Sequence, residues 1–193
     1  LSGIRHQELL MARERAILAN VNHVIGRTEW DKRITDLLAP CAVYYHCDEI
    51  LRPEFYQNEW SGEVSKKPVT IFTTLSNSLY KGLETIVSTA KILKEARLSF
   101  RWQVAGVTEN DPLSRLTGKF LRTDFRTMGI DLIGPCDANK LSSLLSQANM
   151  YCQCSHIENS SNSLCEALIL GLPVIASSAG GTSSLVKDGE TGL

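Results

Sequence analysis

The sequence has no long apolar run. Its longest mostly apolar stretch spans 167–176 and is broken by Gly171 and Pro173, whereas a membrane-crossing helix needs about 20 consecutive apolar residues. Neither sign of charge dominates, with 20 basic against 21 acidic side chains and a net charge of -1. Divided at residue 60, the chain has 7 basic and 9 acidic side chains before it and 13 basic and 12 acidic after it. A broad basic surface for nucleic acid is therefore not expected. There is no CxxC pair, and no second cysteine or histidine pair completes Cys152-x-Cys154 as a zinc site. The six cysteines are accordingly read as buried, reduced thiols of a cytoplasmic protein. A Walker loop, a GxGxxG and a Ser–His–Asp grammar are all missing. So is any 20–50-residue repeat. The opening residues include Arg5, Glu8, Arg13, Glu14 and Arg15, a mixed-charge helical pattern unlike a signal peptide. The chain starts with Leu1 and stops at Gly192-Leu193, and is read as an excerpt of a longer protein.

What is present is globular: 43% of residues are hydrophobic and 21% charged, which excludes a disordered or low-complexity chain. The first sixty residues read helix, strand, helix, strand. A charged helix over 6–20 carries Leu9, Leu10, Ala16 and Ile17 as its inner stripe. A strand at 23–25 precedes Thr28, an N-cap with Glu29 and Asp31 in the following turn, and another strand covers 42–46. Residues 47–67, with Pro53 and Gly62 and little periodicity, read as an inter-domain linker. From residue 67 the alternation is regular. Strands are expected at 69–74, 101–105, 130–133, 150–154 and 173–176. Between them run helices, the first carrying Leu79, Leu83, Ile86, Val87, Ala90 and Leu93. Five strands alternating with helices predict a Rossmann-like, doubly wound parallel sheet with helices on both faces.

Ligands of open parallel sheets bind beyond the carboxyl ends of the strands, so the segments after each strand hold the candidate chemistry. The most informative is Glu158-Asn-Ser-Ser-Asn-Ser-Leu-Cys-Glu166. A helix starting near Ser163 would aim the N–H groups of Ser163, Leu164 and Cys165 at the sheet's mouth, where a diphosphate is held by backbone donors and the positive helix end. Glu158 and Glu166 would flank it and accept hydrogen bonds from sugar hydroxyls. The plainer alternative is that Ser163-x-x-Glu166 is a capping box and Glu158 a solvated carboxylate. Lys81 near a helix start opposes the macrodipole, a penalty of about 0.3–1 kcal/mol that a bound phosphate would reverse. Gly82 would let the backbone come close. Alternatively, Lys81 is a solvated loop lysine. Gly180-Gly181-Thr182 suits either an anion-binding nest or an ordinary turn into a helix with Leu185 and Val186.

Taken in order, Lys81-Gly82, Gly134, Glu158-x7-Glu166, the stretch 167–176, Gly180-Gly181-Thr182 and Asp188-Gly189-Glu-Thr-Gly192 resemble the retaining glycosyltransferases of the GT-B fold, and more narrowly family 4, or group 1. The match covers about 69–193, and Asn162-Ser163-Leu164-Cys165-Glu166-Ala167 is its most family-like part. Gly26-Arg-Thr-Glu-Trp-Asp31 also resembles the late part of the family's first domain.

The resemblance implies that 1–60 are a remnant of the acceptor-side domain with its linker, and 61–193 a nucleotide-sugar-binding domain truncated at its C-terminus. It implies transfer of a sugar with retention from a nucleotide-sugar donor to a sugar or glycolipid acceptor, in bacterial polysaccharide assembly. Residue by residue, Glu158 matches the glutamate that contacts the transferred sugar and is treated as catalytic. Glu166 matches the one that binds the ribose hydroxyls, and Lys81, followed by Gly82, the lysine that neutralises the diphosphate. Asn162, Ser163 and Leu164 match the helix start beneath it. No cofactor or metal is implied, and nucleic acid is not a partner. The location implied is cytoplasmic, with peripheral attachment to the inner membrane an option for the full-length enzyme. Two departures stand out. The family's Gly-Arg ahead of the lysine is replaced by Thr74-Leu75-Ser76, and its Gly-Phe-Gly after the first glutamate by a loop beginning Asn159-Ser160. The alternatives are a GT-B-type nucleotide-sugar epimerase and a non-catalytic nucleotide-sugar-binding module.

Overall fold

The computed structural model describes residues 2–62 and 68–193. It divides into two compact units, Leu1–Ile50 and Leu51–Leu193. Of the stretch read as linker, 51–60 belongs to the second unit, and 63–67 lies outside the described residues.

The first unit holds α1 (Ser2–Leu18), β1 (His23–Gly26), α2 (Glu29–Leu38) and β2 (Val43–His46). β1 and β2 pair in parallel, with His23 opposite Val43. Thr28 caps α2 in a full capping box: its side chain accepts the Asp31 N–H, and the Asp31 carboxylate accepts the Thr28 N–H. Asp31 also accepts a 2.5 Å hydrogen bond from the Tyr44 hydroxyl of β2. Burial and that carboxylate push the Tyr44 phenol up to about 12. The expected inner stripe of α1 is not buried, since Leu9, Leu10 and Ile17 are exposed. Periodicity marks an apolar side but cannot supply a surface to cover it.

The second unit is a Rossmann-like parallel sheet. Its strands are β3 (Val69–Thr74), β4 (Phe100–Ala105), β5 (Ile130–Gly134), β6 (Met150–Gln153) and β7 (Val174–Ala176), in the order β5-β4-β3-β6-β7, every pair parallel. The helices are α3 (Leu83–Glu95), α4 (Pro112–Leu121), α5 (Ala138–Ser146) and α6 (Asn162–Ile169). Successive strand side chains point to opposite faces. Phe72, Tyr151 and Val174 therefore join Leu141, Leu145, Leu164 and Ala167 from α5 and α6 in one core. Ile71, Trp102, Val104 and Ile130 join Leu83, Ile86, Ala90 and Leu113 from α3 and α4 in the other. Full burial of each Leu, Ile, Val or Phe among them contributes about 1.5–3 kcal/mol. Phe55, just past the unit boundary, is buried in the first of these cores.

Three local expectations are corrected. Leu79 is not in the helical stripe: it is 66% exposed in a 3-10 turn, Leu79–Lys81, and α3 begins at Leu83 because Gly82 ends the turn in the left-handed region. Residues Gly180–Ser184 form a 3-10 turn, so the helix expected to follow them does not start there. All six cysteines are free, but only Cys154 is buried, and Cys41 and Cys47 are exposed.

Candidate functional site

The carboxyl ends of β3 and β6 open into a polar pocket of about 250 Å³. Its walls are Thr74, Leu75 and Ser76 after β3, Lys81, and Tyr151 and Gln153 of β6. Ser155 and Glu158 close it from the loop, and Ser161 and Ser163 from the start of α6. Lys81 and Glu158, 77 residues apart, meet in it. Lys81 Nζ donates to Glu158 Oε2 at 2.6 Å, the two side chains being 21% and 13% exposed. Ser155 Oγ donates to the same oxygen at 3.4 Å.

Backbone hydrogen bonds explain this meeting. The His156 N–H donates to the Tyr80 carbonyl at 2.7 Å, which ties the Glu158 loop to the turn carrying Lys81. The Gly181 N–H donates to the Glu158 carbonyl at 3.1 Å, which ties the loop to the segment after β7. That use of the paired glycines decides between nest and turn at Gly181: its N–H is already spent on Glu158. Ser177 Oγ donates to the Ser155 carbonyl at 2.5 Å. Gly82 completes the arrangement. Its φ is +77°, and a Cβ there would lie 2.0 Å from the Cys154 carbonyl oxygen, so only glycine permits the turn to sit against β6.

The start of α6 differs from the expected one. Ser161, not Ser163, is the N-cap: its Oγ accepts the Leu164 N–H at 3.3 Å, and its carbonyl accepts the Cys165 N–H at 3.0 Å. Two of the amides expected to face a diphosphate are thus engaged, Leu164 by the cap and Cys165 in the first helical hydrogen bond, while Ser163 lines the pocket. With the cap two residues earlier, the box between Ser163 and Glu166 does not form. Asn162 is the first helical residue.

Glu166 does not line the pocket. Its carboxylate, 4% exposed, is held in a two-pronged pair by Arg52, whose Nε donates to Oε1 at 2.8 Å and Nη2 to Oε2 at 2.9 Å. That hydrogen-bonded pairing raises the Arg52 pKa, against the opposing pull of burial. Arg52 also lies over the Phe55 ring, 4.9 Å from its centre.

Sequence reasoning missed Arg52, Ser155 and Gln153. Gln153 is buried and lines the pocket, and its Oε1 has no hydrogen-bond partner among the described residues. A buried amide oxygen left without a donor awaits one from elsewhere. A glutamine within an apolar strand was the available signal. Tyr151, buried beside Thr74 and Ser163, has its phenol pushed up by burial and stays neutral. Where the family pattern has an arginine, Leu75 is buried among apolar neighbours. Lys81 is thus the one cation among the described residues lining the pocket. Among the described residues, no three His, Cys, Asp or Glu side chains gather as a metal-ion site, and no helix is long and apolar enough to cross a membrane. A larger cleft of about 550 Å³, lined by Val69, Leu93, Phe100, Trp102 and Ile175 among others, is apolar and carries no convergent polar groups.

Over residues 57–193 the sequence matches the family model of the glycosyl transferases group 1. A search of curated protein sequences finds no significant match. Among solved structures, sucrose-phosphate synthase from Thermosynechococcus elongatus aligns with a TM-score of 0.77 and 21% identity, over 96% of this chain and 48% of that one. A variant of S. aureus TarM, solved with Fondaparinux, alpha-GlcNAc-glycerol and UDP, aligns with a TM-score of 0.73 and 16% identity, over 93% and 35%. WaaG, a glycosyltransferase involved in lipopolysaccharide biosynthesis, gives 0.67 and 15%, over 88% and 48%. At these identities the likeness is one of fold. The chain spans about half or less of the length of each of these proteins.

Proposed function

This chain belongs to the group 1 glycosyl transferases, and we propose that it is the donor-binding part of an enzyme that moves a sugar from a nucleotide sugar to an acceptor with retention. The observation that carries this reading is the Lys81–Glu158 pair at the mouth of a parallel sheet, beside the start of a helix.

The chemical problem is departure of a nucleoside diphosphate from an anomeric carbon. Negative charge grows on the bridging oxygen and positive charge on the sugar ring. Lys81 faces the first and the positive end of α6 supports it, from a pocket wall in which the lysine is only partly exposed. Glu158 faces the second: when phosphate draws Lys81 away, its carboxylate is released toward the sugar. As the bond to diphosphate breaks, the acceptor hydroxyl bonds to the anomeric carbon on the same face and its proton passes to the departing diphosphate, so configuration is retained without a protein nucleophile. Two positive elements already supply the charge, so donor binding does not require a metal ion. Gln153 Oε1 and Ser155 are placed to meet hydroxyls. UDP in the TarM structure and the lipopolysaccharide role of WaaG support a nucleoside diphosphate leaving group and an acceptor in polysaccharide or glycolipid assembly. Because Lys81 is the one cation among the described pocket residues, a non-catalytic nucleotide-sugar-binding module is the second reading.

Calorimetric titration with UDP-, GDP- and ADP-hexoses tests the proposal. One series should bind, and Lys81→Ala should weaken it about tenfold or more, the loss of one charge-assisted hydrogen bond. Absence of binding across the panel would overturn both readings. Binding without transfer, in a protein that carries an acceptor domain, would select the second.

A further inference from the structure

We propose that Arg52 is a positioning residue for nucleotide recognition: it fixes the Glu166 carboxylate so that its remaining lone pairs present to the ribose hydroxyls of the donor. This rests on the reading of Glu166 as the ribose-binding carboxylate.

The pair has a geometry that simple charge neutralisation does not need. Two parallel N–H···O bonds of 2.8 and 2.9 Å engage one lone pair on each oxygen of a carboxylate that is 4% exposed. A carboxylate has about four acceptor positions, so two are left, and their directions are set by the guanidinium plane. That plane is itself fixed by Phe55, whose ring lies 4.9 Å below it and which is buried in the core shared with α5 and α6. Glu166 is on α6, one turn past Ser163, which lines the pocket. The chain Phe55, Arg52, Glu166 therefore carries rigidity from the core to a side chain one turn along α6 from the pocket wall. Among the described residues, the Glu166 carboxylate makes no other side-chain hydrogen bond or ion pair. The capping box that could have oriented it is absent, because Ser161 caps the helix. The fork is also specific to arginine. A lysine brings the charge but only a point contact, which leaves the carboxylate free to rotate.

The readout is the preference for ribose over deoxyribose. A purely structural Arg52 would change melting temperature and would scale all nucleotide affinities together. A positioning Arg52 changes their ratio. UDP, GDP and ADP, each beside its 2′-deoxy and 3′-deoxy analogues, would be titrated into wild type, Glu166→Gln and Arg52→Lys, with thermal melts on the same samples. Wild type should prefer at least one ribonucleotide by about tenfold, the loss of one hydrogen bond to a charged group. Arg52→Lys should keep its affinity for the deoxy analogues and bring the ratio to about twofold or less, as Glu166→Gln does. If Arg52→Lys does not fold, Arg52→Ala titrated with and without millimolar methylguanidinium replaces it, and the added cation should restore the ratio. A wild type with no ribose preference would sink the Glu166 reading and this proposal with it. A wild type that has the preference, with an Arg52→Lys chain that keeps it, would sink this proposal alone. Tighter ribonucleotide binding in Arg52→Ala would overturn it too, because Arg52 would then mask Glu166 instead of orienting it.

Discussion

Glu158 and Glu166 each face a basic side chain, but Lys81 reaches the first with one nitrogen and Arg52 grips the second with two. The first pair sits in the wall of the polar pocket, on a loop tied down by backbone hydrogen bonds. The second is anchored in a helix, its carboxylate 4% exposed. A single ammonium contact on a flexible stem is easily exchanged for a phosphate, whereas a planar fork over an aromatic ring is not. The difference teaches that an ion pair at a binding site is not one kind of object. On the proposed reading, one pair holds its charges ready for a ligand and the other holds a carboxylate still.

The sharpest way to break that contrast is Glu158→Gln. In a transfer-competent protein carrying this domain, turnover should fall at least about 100-fold, the scale of removing one electrostatic stabiliser from an active site. Stability should change by about 1 kcal/mol or less, because the pair is partly solvated. Unchanged turnover in a steady-state assay would make this pair as structural as the other. Arg52→Ala should cost about 2–3 kcal/mol of stability in a urea titration. That is below the ~3–5 kcal/mol of a fully enclosed pair, because Arg52 is 44% exposed and its removal admits water. A loss under about 0.5 kcal/mol, the level of an ordinary surface change, would show that nothing is being held. Glu166→Gln should weaken nucleoside diphosphate binding by about 2 kcal/mol, the value of hydrogen bonds to a charged acceptor. Donor affinity equal to wild type in calorimetry would confine Glu166 to the fold. The smallest expected effect is that of a chelator: with EDTA present, donor affinity should be the same. Affinity abolished by EDTA and restored by Mg²⁺ or Mn²⁺ would mean that Lys81 and α6 do not supply the needed charge.

The positions of the strands that lead to the site were legible in the sequence. Alternating helical and strand periods placed β3 at 69–74 and β4 to β7 within a residue or two, because a sheet buried on both faces leaves near-continuous apolar runs. The end of that sheet, with Lys81, Gly82, Glu158 and Ser163 near it, followed from where ligands bind in such sheets. Less legible was how these residues are held. Thr28 announced itself as an N-cap, and the structure added that Asp31 closes the box. The start of α6 was read at Ser163, whereas Ser161 caps it, because the loop ahead of the helix chooses between two locally similar serines.

Local periodicity and short ordered motifs were enough for the family and the parallel sheet, and they singled out the two glutamates and the lysine as candidates. Only the tertiary structure decided that Lys81 meets Glu158, that Gly181 supports the Glu158 loop and that Arg52 clamps Glu166. Arg52 lies 114 residues from its partner in a stretch that reads as linker. Pairings at that separation leave no local pattern, because the chain is brought together by burial of its apolar faces, and the charges meet only once that burial has placed them.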